Sequence, residues 1–284
     1  MQIEVIIEKK SHKLDAEEGK TILETLQEHG IHVLTAPCGG RGRCGKCTVE
    51  AEHMGEVLAC MTKVTDGMRI TIPKVQLRAQ KSKIAENGTV THYPADDGEG
   101  LDAACDIGTT TVVCHLIDGK TGEKLATVSE PSAQRSFGAD VLSRIQAAEA
   151  GKLEILKEQI IFQIAQMLRT LQKKTGRGEQ IQRLAVVGNT VMCHLFAGIS
   201  PVSIGVTPFM PQEFFGKEYT GEQLGLTDCR SVYIAPAVAG FVGGDITSDL
   251  LAVMQKNPKE KVLLLDIGTN GEMAVGNEDQ IYCC

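Results

Sequence analysis

Four cysteines close together near the N terminus constrain this chain more than any other feature. Cys38, Cys44 and Cys47 share the run CGGRGRCGKC, and Cys60 follows twelve intervening residues later. Three thiols on one tight loop and a fourth from a neighbouring strand can enclose a two-iron, two-sulfide rhomb. Gly39, Gly40, Gly42 and Gly45 let such a loop take positive φ and turn backbone N–H groups toward the sulfurs. Those N–H groups, with Arg41, Arg43 and Lys46, offset the negative charge of a cluster and raise its reduction potential. The spacing predicts a 2Fe–2S cluster with Cys38, Cys44, Cys47 and Cys60 as its metal ligands. Zinc is the competing occupant, because four cysteines also suit a tetrahedral ion. A zinc ribbon usually shows two C-x2-C knuckles, however, and Cys44–Cys47 supplies only one.

The plant-type pattern places four residues between its first two ligands. Here there are five, which resembles the adrenodoxin-like ferredoxins. The surrounding sequence suits a small α+β domain. Ile3, Val5 and Ile7 alternate with polar residues as in a half-buried strand, and Ser11–Asp15 can return as its partner. Thr21 and Glu24 form a capping box that opens a helix, and Gly30 stops it. Thr48–Glu52 and Arg69–Ile72 read as short strands, and Pro73 closes the unit. Residues 1–74 are therefore expected to form a β-grasp, ferredoxin-like domain.

An N terminus that alternates like a strand and has no signal-peptide core points to a cytoplasmic protein. In that compartment ten cysteines indicate metal or redox chemistry before disulfides. Cys105, Cys114 and Cys193 lie in apolar segments and are expected as small core residues; Cys229 is expected as a surface thiol. No apolar stretch is long enough to span a bilayer. A net charge of −7 disfavours binding to nucleic acid or an anionic membrane, and 4% aromatic content without Trp leaves little for base stacking.

Residues 75–100 read as a linker, basic at the start (Arg78, Lys81, Lys83) and acidic at the end (Asp96, Asp97, Glu99). From 101 to 284 the texture becomes α/β. Leu153, Leu156, Ile160, Ile164, Met167, Leu168 and Leu171 recur at helical spacing up to Gly176, while Leu184–Val187 and Val232–Ala235 read as buried strands and Val262–Leu265 as one more strand. Two turns repeat: Asp106, Gly108, Thr109, Thr110 and Thr111 follow one apolar segment, and Asp266, Gly268, Thr269 and Asn270 follow another. Glycine allows close approach to a phosphate, the Thr and Asn groups can hold its oxygens, and the aspartates can hold Mg²⁺ through water. One such turn is ordinary hairpin chemistry. Two copies in two related halves predict a clamp on a nucleotide's phosphate tail. Asn189, after Gly188, and Asp245, after Gly243 and Gly244, are candidates for the same cleft; Asp245 is the candidate catalytic residue, positioning water or Mg²⁺. Both also suit plain helix caps.

In this order the motifs resemble the reductive activators of corrinoid proteins, in which a 2Fe–2S ferredoxin domain is fused to an ATPase of the sugar kinase, actin and heat-shock chaperone superfamily. The likeness rests on Ala36–Cys47, Leu58–Cys60, Asp106–Thr111, Gln134–Ile145, Val186–Thr190, Ala239–Asp245 and Leu265–Glu272. It implies an α/β ribonuclease-H-like, actin-like ATPase domain over 101–284, Mg-ATP as second cofactor, and ATP-driven delivery of one electron that returns a Co(II) corrinoid to Co(I). It also implies a corrinoid protein of a methyltransferase system as partner and a low-potential electron donor, and it is compatible with a homodimer. Two departures are expected. The linker is too short for the further small domain of many members. The sequence also stops soon after the second turn, so it would be truncated at its C-terminal end, with the ATPase domain incomplete and Val262–Leu265 an apolar strand with little sheet to join. Two other readings compete. One is a plain 2Fe–2S electron carrier with a vestigial or truncated nucleotide domain; the other is a zinc-stabilised scaffold.

Overall fold

The N-terminal alternation becomes a hairpin. In β1 (Gln2–Ile7), Ile3 and Val5 are fully buried and pair with Leu14 and His12 of β2 (Lys10–Asp15). The computed structural model describes residues 1–284 except 32, 37, 74–92, 94–97 and 256–258. The chain divides into two units, Met1–Lys83 with Ala133–Ala147, and Ile84–Ser132 with Ala148–Cys284. Most of the expected linker lies outside the described residues. Among the described residues no helix is long and apolar enough to cross a membrane.

The first unit is the expected β-grasp. Its sheet runs β2-β1-β5-β3-β4, with β3 (Thr48–Ala51), β4 (Gly55–Leu58) and β5 (Arg69–Thr71), and β1 parallel to β5. Helix α1 (Ile22–Glu28) opens on the capping box. The Glu24 N–H donates to Thr21 Oγ1 at 3.2 Å, and the Thr21 N–H donates to Glu24 Oε2 at 2.8 Å. Two of the four otherwise unpaired N–H groups of the helix end are thereby satisfied. Ile22 and Leu26 of α1 pack on Ile3, Val5, Val49 and Ile70, and Cys47 and Cys60 belong to this same core. A helical turn (Ala133–Ser136) and helix α2 (Val141–Ala147) complete the unit.

The second unit has a six-stranded sheet in the order β10-β11-β9-β6-β7-β8. The strands are β6 (Leu101–Ile107), β7 (Thr111–Asp118), β8 (Lys124–Pro131), β9 (Ile181–Val187), β10 (Lys217–Thr220) and β11 (Cys229–Ile234). An antiparallel β6-β7-β8 meander continues through parallel β9 and β11, the ribonuclease-H-like arrangement. Helix α3 (Leu153–Thr175) lays its predicted apolar stripe against β7 and β8 and ends at Gly176, φ 68°. Helix α4 (Thr190–Ala197) follows β9. Helix α5 (Gly244–Met254) packs Ile246 and Leu250 on Ala274 of a second sheet, β12 (Val262–Ile267), β13 (Gly271–Gly276) and β14 (Ile281–Cys283).

Three expectations need correction. The strand at Val262–Leu265 does find a small sheet, being hydrogen-bonded to β13 along its whole length, but it stays an edge strand with Leu263 and Leu265 exposed, as expected. Cys229 is not a surface thiol: it opens β11 with its side chain inward, and burial, then the Asp228 charge, pushes it up to about 12. Cys105 and Cys114 are buried as expected but not independent, since the β6–β7 register sets them opposite each other and they are joined as a disulfide.

Candidate functional site

In the first unit, the β3–β4 hairpin brings two distant cysteines together. It pairs Thr48 with Leu58, and the Ala59 N–H continues the ladder to the Cys47 carbonyl at 3.0 Å. Cys47 and Cys60 therefore leave the hairpin side by side, both buried, with Sγ atoms 3.3 Å apart. Cys38 and Cys44 are half-buried free thiols on the loop, near enough for the Cys44 side chain to help lower the Cys38 thiol. The structure thus gathers the four thiols as two pairs. Among the described residues no three His, Cys, Asp or Glu side chains converge on a single metal ion. Two pairs fit a two-iron cluster, in which each iron takes two thiolates and two bridging sulfides, better than one zinc that needs four.

The loop supplies the electrostatics. Gly39, Gly40, Gly42 and Gly45 have φ of 63°, 78°, 69° and 65°, a region closed to most side chains. At Gly42 a Cβ would also come within 2.8 Å of Met61 Sδ. Burial works to raise the Cys38 thiol, but the backbone N–H groups of Cys44, Arg43 and Arg41 and the Cys44 side chain outweigh it and bring Cys38 down to about 6. Cys60 goes the other way. Burial, then Cys47, pushes it up to about 12, against the Gly42 N–H. Bound iron would remove that conflict by replacing both thiol protons with metal charge.

In the second unit, the two repeated turns meet. The β6–β7 turn carries Gly108, Thr109 and Thr110, with Thr111 opening β7; the β12–β13 turn carries Gly268, Thr269 and Asn270. The hydroxyls of Thr110 and Thr269 are 2.6 Å apart. Each turn is tightly closed. A Cβ on Gly108 would fall 2.5 Å from the Thr111 carbonyl, and the Gly268 N–H donates to the Asn270 carbonyl at 2.9 Å. Asn189 has two roles: its Oδ1 caps α4 by accepting the Met192 N–H at 3.0 Å, and its Nδ2 donates to Thr109 Oγ1 at 3.0 Å. Asp245 is not the cap of α5, which is Gly243; it lies in the first turn and accepts the Ile246 N–H.

Around these turns lies an acidic recess. Asp106 is reached by water yet surrounded by protein on most sides; burial, then the charges of Asp245, Asp249 and Asp266, pushes its carboxyl up to about 7. Asp245 is raised by burial and by Asp266 and Asp249, and Asp249 by burial and Asp266. Glu272 is raised by burial and by Asp245 and Asp266. These carboxylates disfavour one another's ionisation, which a nearby cation would relieve, although among the described residues no three of them converge on a single metal position. Sequence reasoning misses Asp249 and Glu272 as members of this group. Asp249 carries a usable signal, because it follows Asp245 by four residues and so shares its helix face. Glu272 lies beyond the turn on β13, where only the strand pairing with Asp266 brings it in.

Gly243 packs rather than opens the recess: a Cβ there would stand 2.5 Å from the Thr190 N and 2.6 Å from the Asn189 Cα. Gly243→Ala is expected to cost about 1–3 kcal/mol, the usual penalty for overpacking, seen as a lower thermal midpoint.

Comparison with known proteins agrees with this layout. A model described as the 2Fe-2S iron-sulfur cluster binding domain matches residues 4–74, and one described as the RACo middle region matches residues 101–257. The chain belongs to the RACo family. Its N-terminal unit is a 2Fe–2S ferredoxin domain, which sets aside zinc as the occupant. Corrinoid activation enzyme RamQ of Eubacterium limosum is 28% identical to this RACo-family protein, covering 88% of it and 55% of the relative. The [Co(II) methylated amine-specific corrinoid protein] reductase of Methanosarcina barkeri is 28% identical over 63% of the sequence and 34% of the relative. The chain therefore spans about half the length of the first of these relatives and a third of the second. A solved reductive activator for corrinoid, iron-sulfur protein superposes with a TM-score of 0.63 at 25% identity, over 99% of this chain and 62% of that one.

Proposed function

We propose that this chain belongs to an ATP-dependent reductive activator of a corrinoid protein in a methyltransferase system. The observation that carries this reading is one RACo-family chain holding both the paired thiols and the facing threonine turns. Cys38 and Cys44 would hold one iron, and Cys47 and Cys60 the other. Held there and reduced by a low-potential donor, a 2Fe–2S cluster would supply the single electron that takes Co(II) to Co(I). The N–H groups of Arg41, Gly42, Arg43 and Cys44 stabilise the charge that this electron brings. Thr109, Thr110 and Thr111 on one turn, and Thr269 and Asn270 on the other, would bracket a triphosphate, with Gly108 and Gly268 giving it room. Asp106, Asp245 and Asp266 would hold Mg²⁺ through water. The free thiols of Cys38, Cys44, Cys47 and Cys60 support a cytoplasmic location, where thiols stay reduced and available to metal.

The test is to mix the reduced protein with Mg-ATP and a Co(II) corrinoid protein and to follow the corrinoid absorbance. ATP-dependent appearance of Co(I) is expected. Electron transfer at the same rate without ATP, together with no nucleotide binding by calorimetry, would instead favour a simple electron carrier.

A further inference from the structure

Between β8 and α3 the chain sends Ala133–Ala147 into the first unit, where the segment packs on the cluster loop. The Arg135 carbonyl accepts the Ala36 N–H at 3.4 Å. The Ser136 carbonyl accepts Gln27 Nε2 at 2.9 Å in a buried bond. The Phe137 carbonyl and the Ser143 Cβ lie where a Cβ on Gly39 would meet them, at 3.7 and 3.8 Å, and Arg41 bonds Gln146. Apart from the Gln27 bond, these contacts fall on Ala36, Gly39 and Arg41, on either side of Cys38. They hold the start of the loop, and the N–H of Arg41 is one of those that face the sulfurs.

The segment is internally stapled. Arg144 is fully buried, and its guanidinium donates to Gln134 Oε1 at 3.2 Å and to the Gly138 carbonyl at 3.4 and 3.3 Å. It is therefore built to move as one piece. Its entry point is tied to the first phosphate turn: the Ser132 N–H donates to the Thr110 carbonyl at 2.9 Å, and Ser132 is bonded directly to Ala133. Its exit is the kink at Ala148–Lys152, where Gly151 has φ 84°, leading into α3. Any ligand that repositions Thr110 moves Ser132, one residue from a rigid piece seated on the cluster loop.

We propose that Ala133–Ala147 is a coupling segment that transmits nucleotide occupancy of the Asp106–Thr111 turn to the Cys38–Cys47 loop. This rests on the nucleotide reading given above. The backbone dipoles and charges around the sulfurs tune the cluster's potential, so a shift of the segment alters that potential. By linkage, the redox state must then alter nucleotide affinity by the same factor.

The experiment compares binding of Mg²⁺ with a non-hydrolysable ATP analogue to the oxidised and the dithionite-reduced cluster-loaded protein, by anaerobic calorimetry, alongside a redox titration followed by the cluster's electron paramagnetic resonance. An affinity difference of about tenfold is expected, equivalent to a potential shift of about 59 mV for one electron. Gln27→Ala and Arg144→Lys should each bind nucleotide in the oxidised state as the parent does, yet lose the difference; either variant alone suffices if the other fails to fold. Equal affinity in both redox states overturns the coupling and leaves the nucleotide reading intact. A difference that persists in both variants overturns the role of this segment. No nucleotide binding at all overturns both proposals together.

Discussion

Cys60→Ser is expected to give a colourless protein that retains only background iron and acid-labile sulfide. Cys60 is the proposed ligand from outside the loop, and its sulfur is paired with that of Cys47 at 3.3 Å. An alcohol is a harder, far less acidic donor than a thiol and is a poor match for iron bridged by sulfide. Its loss would leave the iron proposed for Cys47 and Cys60 with a single cysteine. The consequences extend to folding, because Cys47 and Cys60 are part of the core with Leu23, Leu26, Ala36 and Ala59. Metal binding energy at such a site is also folding energy, so the thermal midpoint of the first unit should fall with the colour. Cys229→Ser is the control. It places the same hydroxyl at another buried site, costs about 1–3 kcal/mol for an unsatisfied polar group, and should leave iron, sulfide and the visible spectrum unchanged. Iron and sulfide analysis of anaerobically purified protein decides the matter. A Cys60→Ser protein with parental iron content would remove Cys60 from the ligand set.

Much of this layout is legible in the residues, for local reasons. The Thr21–Glu24 box, the alternation of Ile3 and Val5, and the stripe of α3 ending at Gly176 are each set by interactions within a few residues. What escapes depends on tertiary context. β4 has only four residues, none fully buried, so it has no periodicity to read. The turn before β2 uses Glu8 and Lys9 at φ 46° and 70° rather than the Asn-Gly type that marks such hairpins. Cys229 sits between Asp228 and Arg230, and those polar neighbours hide an inward-facing strand position. The helical pattern at Val141–Ala147 shows that a face is buried, but no local signal says that it is buried in the first unit. The acidic recess is half visible: the two aspartate turns repeat in sequence, whereas Asp249 and Glu272 join them only through α5 and β13.

Asp106→Asn is expected to have two opposite effects that only an acidic cation site produces together. Without Mg²⁺ the variant should be more stable than the parent at pH 8, and with Mg²⁺ it should bind nucleotide about 10–100-fold more weakly, the range for losing an outer-shell partner of a metal. The sign follows from linkage. The folded-state value of about 7 lies above the unfolded reference of 3.8. Between those values the folded chain holds a proton that the unfolded chain has released, so ∂ΔG/∂pH of unfolding is negative for this group. Its contribution is full below pH 3.8 and is lost as pH rises through about 7. Burial and the charges of Asp245, Asp249 and Asp266 are the cause, and Asn carries no charge to be opposed by them. Thermal midpoints from pH 5 to pH 8 should therefore fall more steeply in the parent than in the variant. Millimolar Mg²⁺ should flatten the parent's curve by pairing the carboxylates, and should do less for the variant. A parent curve that Mg²⁺ leaves unchanged, with nucleotide affinity equal in the two proteins, would show that Asp106 holds no cation and that the recess serves some other charge.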